Sequence, residues 1–170
     1  LGREGFRVAV VDPHPPSRSW PPGEADLRVS ALTRASQRIL ANLGVWPRMA
    51  ELGVSPYRAM RVWDATGSGS IHFDAADIGQ PDLGHIVENR VTRLALWERL
   101  EGLDTVDLLC PAGVWAMYLG PAGPRITLED GRVVEARLLV GADGRDSRVR
   151  EHAGIHTRGW AYDQHALGAA

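Results

Sequence analysis

The 170-residue sequence holds one cysteine, Cys110, so no internal disulfide can form and a reducing compartment suits the chain. Cys110 stands before Pro111 and reads as a small, partly buried residue rather than a nucleophile. No stretch approaches the roughly 18 consecutive apolar residues a membrane-crossing helix requires. Basic residues form no stripe and the net charge is −2, which argues against a nucleic-acid partner. No signal peptide opens the chain. The G-x-G-x-x-G turn that cradles phosphate at a helix N-terminus is missing, because Gly2 and Gly5 sit at the wrong end of a helix to supply it. His152 and His156 are four apart, but Gly154 between them argues against a shared helical face and hence against a metal site. Gly67-Ser68-Gly69-Ser70 lacks the spacing of a nucleophile elbow and reads as a turn. Internal repeats and low-complexity segments are absent.

What is present is ordinary globular composition, 44% apolar and 24% charged, enough for one domain. Leu1 is not a natural start, so the expectation is a piece of something longer. Leu1 to Glu4 reads as a last helical turn with Gly5 as its left-handed stop. Phe6 to Val11 follows as a strand, apolar almost throughout as a parallel strand covered on both faces should be. Asp12 ends it, and Pro13, Pro15 and Pro16 forbid continuation. Helix end, glycine, strand and terminal acid make the second half of a dinucleotide-binding βαβ unit, in which such an acid bonds ribose hydroxyls. Taken alone, Asp12 reads equally as a strand-ending acid.

Ser17 to Ala25 is a Pro-rich loop. Leu32, Ala35, Ile39, Leu40 and Leu43 then predict an amphipathic helix stopped by Gly44, and a short helix should run from Trp46 to Leu52 before Gly53. Met60 to Asp64 and Ser70 to Phe73 predict a hairpin. Ile86-Val87 reads as a strand end, and Asn89 or Thr92 can cap the helix that follows. Val114 to Leu119, Arg125 to Leu128 and Arg132 to Ala136 read as a meander, with Glu129-Asp130-Gly131 turning its last hairpin. That meander feeds Leu138-Leu139-Val140, predicted as a buried strand. Gly141 to Gly144 turns the chain, and Asp146 or Ser147 can cap a charged helical segment holding Arg148 and Arg150. Asp143 should therefore lie at the carboxyl end of a strand, where open α/β sheets bind ligands. Asp-Gly alone reads as a β-turn.

Three strings change that balance. GADGRDSRVR resembles the DGxxSxxR fingerprint of the FAD-dependent aromatic hydroxylases, flavoprotein monooxygenases of the para-hydroxybenzoate hydroxylase type, with Asp143, Gly144, Ser147 and Arg150 in the matching positions. ADLRVSALTRASQRILANLGVW and LGHIVENRVTRLALWERL resemble blocks of the ubiquinone-biosynthesis branch of that family. The tail GWAYDQHALGAA resembles the Y-x-Q-x-A strand that opens the substrate-side sheet, here at about 158–170. The resemblance implies an α/β fold, a partial Rossmann-like FAD-binding domain over residues 1–170 with inserted antiparallel β-strands. It places Asp143 on the FAD ribose and on the route by which NAD(P)H reaches the flavin. Arg28 falls at the position that lies near the FAD pyrophosphate. An Arg near the start of the Asn89 helix is expected to contact FAD; Arg90 and Arg93 are the candidates, with Arg93 taken as the site residue. Asp12, Arg28, Arg93, Asp143 and Gly144 thus form the expected cofactor set, with no catalytic acid or base assigned.

The implied reaction uses NAD(P)H and O2 to hydroxylate a phenolic ring, a polyprenyl-phenol of ubiquinone biosynthesis, with FAD supplying the oxygen chemistry. Alternatives on the same fold are a halogenase, an epoxidase or a reductase, and a non-catalytic flavin-binding module is the reading from another class. Isolated residues 1–170 are expected to be inactive. Localisation is expected to be cytoplasmic, peripheral to the inner membrane or attached to a biosynthetic complex.

Overall fold

A computed structural model describes residues 1–165. In chain order the elements are β1 (Val8–Val11), β2 (Val29–Thr33), α1 (Arg34–Asn42), α2 (Trp46–Leu52), β3 (Ser55–Tyr57), β4 (Ala59–Trp63) and β5 (Ser70–Asp74). There follow β6 (Gly84–Glu88), α3 (Asn89–Glu101), β7 (Val106–Leu109), β8 (Val114–Gly120), β9 (Gly123–Leu128), β10 (Val133–Glu135) and α4 (Arg148–His152). Single 3-10 turns lie at Gly2–Glu4 and Ala75–Ile78. The chain divides into two compact units, one of residues 1–15 with 103–165 and one of residues 16–102.

In the first unit the opening 3-10 turn stops at Gly5, whose φ of 82° is left-handed, as the sequence predicts. β1 pairs in parallel with β7, Val8 opposite Val106 through Val11 opposite Leu109. Pairing continues beyond the strands: the Asp12 N–H donates to the Leu109 carbonyl (3.2 Å) and the Ala112 N–H to the Asp12 carbonyl (3.0 Å). The strand is two residues shorter than predicted and is not covered on both faces. Phe6 lies outside it, 51% exposed, and Ala9 is exposed within it. β8, β9 and β10 form the predicted antiparallel meander. Its apolar face buries Ile126 and Leu128 with Ala112, and Val11, Leu109, Val134 and Leu139 pack around them. This cluster fastens the parallel pair to the meander.

Leu138-Leu139-Val140 corrects one expectation. No strand among the described residues pairs with it, so it forms no ladder, and Leu138 and Val140 are 72% and 62% exposed. Only Leu139 turns into the core. The out-in-out alternation of an extended chain survives without the hydrogen bonds of a sheet. Residues 158–165 are irregular and exposed, so no strand opens there; the remainder of the strand expected over 158–170 lies outside the described residues.

In the second unit β6 is the central strand of a three-stranded antiparallel sheet, flanked by β2 and β3. Here the predicted helix yields its first residues. Val29 to Thr33 alternates exposed and half-buried side chains and pairs with β6 along its whole length, so Leu32 belongs to a strand. The helix starts at Arg34, where the Thr33 hydroxyl accepts from the Ser36 N–H (3.3 Å). Gly84 sits opposite Thr33, and a Cβ there would fall 2.2 Å from the Leu32 carbonyl oxygen, so this strand start requires glycine. Met49, completely buried, and Val45 from the α2 end meet Val87 of β6 and Val91 and Ala95 of α3 in the core. Helix α2 and the hairpin β4–β5 match the predicted ranges to within a residue.

Candidate functional site

The predicted residues fall into two groups, one in each unit. In the first unit Asp12 follows the carboxyl end of β1, as predicted, and is half-buried. Its Oδ1 accepts the His14 N–H (2.8 Å), which fixes the turn into the proline segment. Asp143 lies in the turn before α4. The Ser147 hydroxyl donates to its Oδ1 and the Val149 N–H donates to its Oδ2 (3.1 Å). Ser147, 7% exposed, also accepts the Arg150 N–H (3.0 Å) and so caps α4. Of the two caps the sequence allowed, Ser147 rather than Asp146 is used.

The Ser147 hydroxyl chiefly holds the Asp143 carboxyl below the usual carboxylate range; burial opposes it, and the Val149 N–H adds a lesser lowering. Asp143 is therefore an anion at neutral pH. It is exposed, and a carboxylate offers about four acceptor positions, of which the protein fills two with these donors. The rest can accept hydroxyl groups of a ligand. Gly144 adopts φ 86°, and no heavy atom lies within 4 Å of where a Cβ would be. The turn thus needs glycine for its backbone and leaves open surface beside the carboxylate.

In the second unit the Pro-rich loop, the start of β2 and the first turns of α3 enclose a cleft of about 760 Å³. Arg28, Arg90 and Arg93 line it with Trp20, Asp26 and Asn89. The Arg28 backbone is held on both sides: its N–H donates to Asp26 Oδ1 (3.0 Å), and its carbonyl accepts the Asn89 N–H (2.8 Å). Its side chain is exposed. Arg90 and Arg93 are one turn apart on α3 and share a face. Neither Asn89 nor Thr92 caps that helix through its side chain, correcting the prediction. Asn89 Oδ1 instead accepts the Ser30 hydroxyl (2.6 Å), and the Thr92 hydroxyl is buried without a partner. At Asn89, the bonds to Ser30 and Arg28 have taken the groups a cap would use.

The sequence did not disclose the part Trp20 plays in these sites, and of Ser147 it disclosed the cap but not the bond to Asp143. A tryptophan inside a proline-rich loop was the available signal for the first. A second, smaller cleft of about 530 Å³ lies between β8 and α4, and none of the five predicted residues lines it. Among the described residues no group of three His, Cys, Asp or Glu side chains could hold a metal ion.

A family model described as FAD binding domain matches residues 1–169. The chain belongs to the FAD binding domain family. Among relatives of this family, the chain is 35% identical over 167 residues to 3-demethoxyubiquinol 3-hydroxylase of Escherichia coli, covering 98% of the chain and 42% of that protein. It is 40% identical over 168 residues to ubiquinone hydroxylase UbiL of Rhodospirillum rubrum, covering 98% and 38%. To the human mitochondrial ubiquinone biosynthesis monooxygenase COQ6 it is 36% identical over 154 residues, covering 84% and 32%. The chain therefore spans about two-fifths of the length of the bacterial relatives it matches. Among solved structures it resembles PqsL of Pseudomonas aeruginosa, with a TM-score of 0.70 at 25% identity over 95% of this chain and 42% of that one. It also resembles 2-methyl-3-hydroxypyridine-5-carboxylic acid oxygenase, with a TM-score of 0.66 at 25% identity over 90% and 37%.

The residues of this FAD-binding domain suit the group its family name requires. Exposed guanidinium forks in the larger cleft match the planar, bidentate demands of a diphosphate. The anionic Asp143, with acceptor positions to spare and open space at Gly144, matches a sugar hydroxyl.

Proposed function

We propose that the full-length protein is an FAD-dependent monooxygenase that hydroxylates a polyprenyl-phenol in ubiquinone biosynthesis. The single observation that carries this is the 35–40% identity, over 98% of the chain, to a bacterial 3-demethoxyubiquinol 3-hydroxylase and a bacterial ubiquinone hydroxylase. In balance, phenol, O2, NAD(P)H and a proton give the hydroxylated phenol, water and NAD(P)+. FAD, when bound, supplies the electron transfer and the oxygen activation.

The chain's own residues bind and orient. Arg28 and Arg93 are the cations for the diphosphate, Arg28 with its backbone fixed by Asp26 and Asn89. Asp12 and Asp143 are the acceptors for ribose hydroxyls, and Gly144 keeps the approach to Asp143 open. Ser147 fixes Asp143, and the carboxylate offers its acceptor positions at neutral pH without a proton loss on binding. An apolar polyprenyl tail favours a reaction at a lipid surface, so the protein is assigned to the cytoplasm, peripheral to the inner membrane. Co-sedimentation with lipid vesicles tests that assignment, and full recovery in the supernatant rejects it.

The test of the cofactor site is flavin retention. Arg28→Ala should release FAD on desalting, and Arg28→Lys should recover only part of the affinity because the fork is lost. Equal flavin occupancy in wild type and Arg28→Ala removes Arg28 from the site.

A further inference from the structure

Arg90 lines the same cleft as Arg28 and Arg93, and its side chain is bonded on two sides within the protein. Its side chain is 17% exposed. Its Nε donates to Glu88 Oε2 at 2.5 Å, so its charge is paired within the protein. Its Nη2 donates to the carbonyl oxygen of Glu24. Its guanidinium carbon stands 4.6 Å from the centre of the Trp20 ring. Glu24 and Trp20 both belong to the Pro-rich loop, which forms one wall of the cleft and leads directly into Arg28. Two further ties fasten this loop to α3: Arg18 pairs with Glu101, and the Arg28 carbonyl accepts the Asn89 N–H. Glu101 is itself held by the Trp97 indole N–H (3.0 Å).

We infer that Arg90 is a positioning residue: it ties the Pro-rich loop to the head of α3 through Trp20 and Glu24 and thereby holds Arg28 at the mouth of the cleft. The inference deepens the FAD reading of the cleft and rests on it. The physical reasoning concerns entropy. The loop from Pro16 to Arg28 has no regular structure, and ordering it at the moment of binding would subtract from affinity. A cation stacked on an indole, with a charge-assisted bond to a loop carbonyl, meets that cost beforehand. Glu88 fixes the fork so that it faces the loop. Arg90 then acts on the ligand only through Arg28, whereas a residue touching the diphosphate would act independently of it.

The experiment is a double-mutant cycle on FAD affinity in the full-length protein, joined to limited trypsin cleavage of the FAD-free protein at the Arg18–Ser19 bond. Arg90→Met keeps the length and apolar stem of the side chain while removing the fork. It should raise cleavage at that bond several-fold and weaken FAD binding about tenfold, the loss of one cation–aromatic contact and one charge-assisted bond. Trp20→Leu should reproduce both changes. In an Arg28→Ala background, Arg90→Met should weaken FAD binding no further. Cleavage unchanged in Arg90→Met overturns the tether. Losses from Arg90→Met and Arg28→Ala that multiply in the double variant make Arg90 a direct ligand and overturn its positioning role. FAD affinity unchanged in Arg28→Ala alone overturns the assignment of the cleft to FAD, and the cleavage result is read separately from it.

Discussion

Asp143→Asn is the substitution whose outcome the structure specifies most fully. The carboxylate takes two donors on two different oxygens, the Ser147 hydroxyl and the Val149 N–H. An asparagine keeps one acceptor oxygen and presents an NH2 group where the other stood, so one donor loses its partner and both lose the charge. A hydrogen bond to a charged group is worth about 1.5–3 kcal/mol when shielded. Asp143 is exposed, and solvent screening reduces the expected cost to about 0.5–1.5 kcal/mol. The pH dependence has a definite sign. The folded-state pKa is lowered, chiefly by the Ser147 hydroxyl, so the carboxylate's contribution is fully present above its unfolded value of about 4. It is lost as pH falls from there through the lowered folded value. Urea unfolding of wild type and Asp143→Asn should therefore differ at pH 7 and converge as the solution is acidified below about pH 4. Equal stability at pH 7, or a gap that does not close in acid, refutes this role of the carboxylate. Stopped-flow reduction of the FAD-loaded variants by NAD(P)H adds the functional half. A deficit of roughly ten- to a hundredfold beyond the stability change is expected if the same carboxylate serves the ribose.

Other substitutions probe the scaffold around the two groups. Gly84→Ala should destabilise by about 1–3 kcal/mol in thermal or urea unfolding, because its Cβ would meet the Leu32 carbonyl at 2.2 Å and force β2 away from β6. Met49→Ala should cost about 2–5 kcal/mol, since this completely buried side chain fills the centre of the second unit's core. Ser147→Ala removes the cap of α4 and a donor to Asp143 together. It should cost about 1–2 kcal/mol and raise the Asp143 pKa, read by NMR titration of the carboxyl group.

Elements with strong local punctuation were legible in the sequence. The Trp46–Leu52 helix lies between Gly44 and Gly53, and the β4–β5 hairpin surrounds a Gly-Ser turn; both appear where glycine and alternation place them. Elements that depend on distant partners were not. β7 is four residues long, and its assignment depends on β1 nearly a hundred residues away. β3 contains Pro56, which argues against a strand, yet it serves as the edge of a sheet, where proline is tolerated. Val29–Thr33 reads as the start of a helix because Leu32 fits the helical period, and only its pairing with β6 makes it a strand. The failure at Leu138-Leu139-Val140 is the converse, an apolar run that suits a strand but has no neighbour among the described residues.

The site was legible as residue types rather than as roles. Choosing between a turn residue and a ribose acceptor for Asp143 left out what the fold adds, a carboxylate that also anchors α4 through Ser147. Asparagine forms turns as well as aspartate does, but it cannot accept from both Ser147 and Val149, so the substitution is not silent even for a structural Asp143. Arg90 and Arg93 could not be separated on one helix face by spacing alone. The fold shows Arg90 paired with Glu88 and in contact with Trp20 and Glu24, and Arg93 as the more exposed of the two.

The proposal that the protein is an oxygenase is tested most directly by isotope. The FAD-loaded full-length protein is supplied with NAD(P)H, a polyprenyl-phenol and 18O2, and the product is weighed by mass spectrometry. One labelled oxygen in the ring hydroxyl, formed in step with NAD(P)H consumption, is the expected result. NAD(P)H oxidation that yields only hydrogen peroxide, or a product free of label, contradicts it.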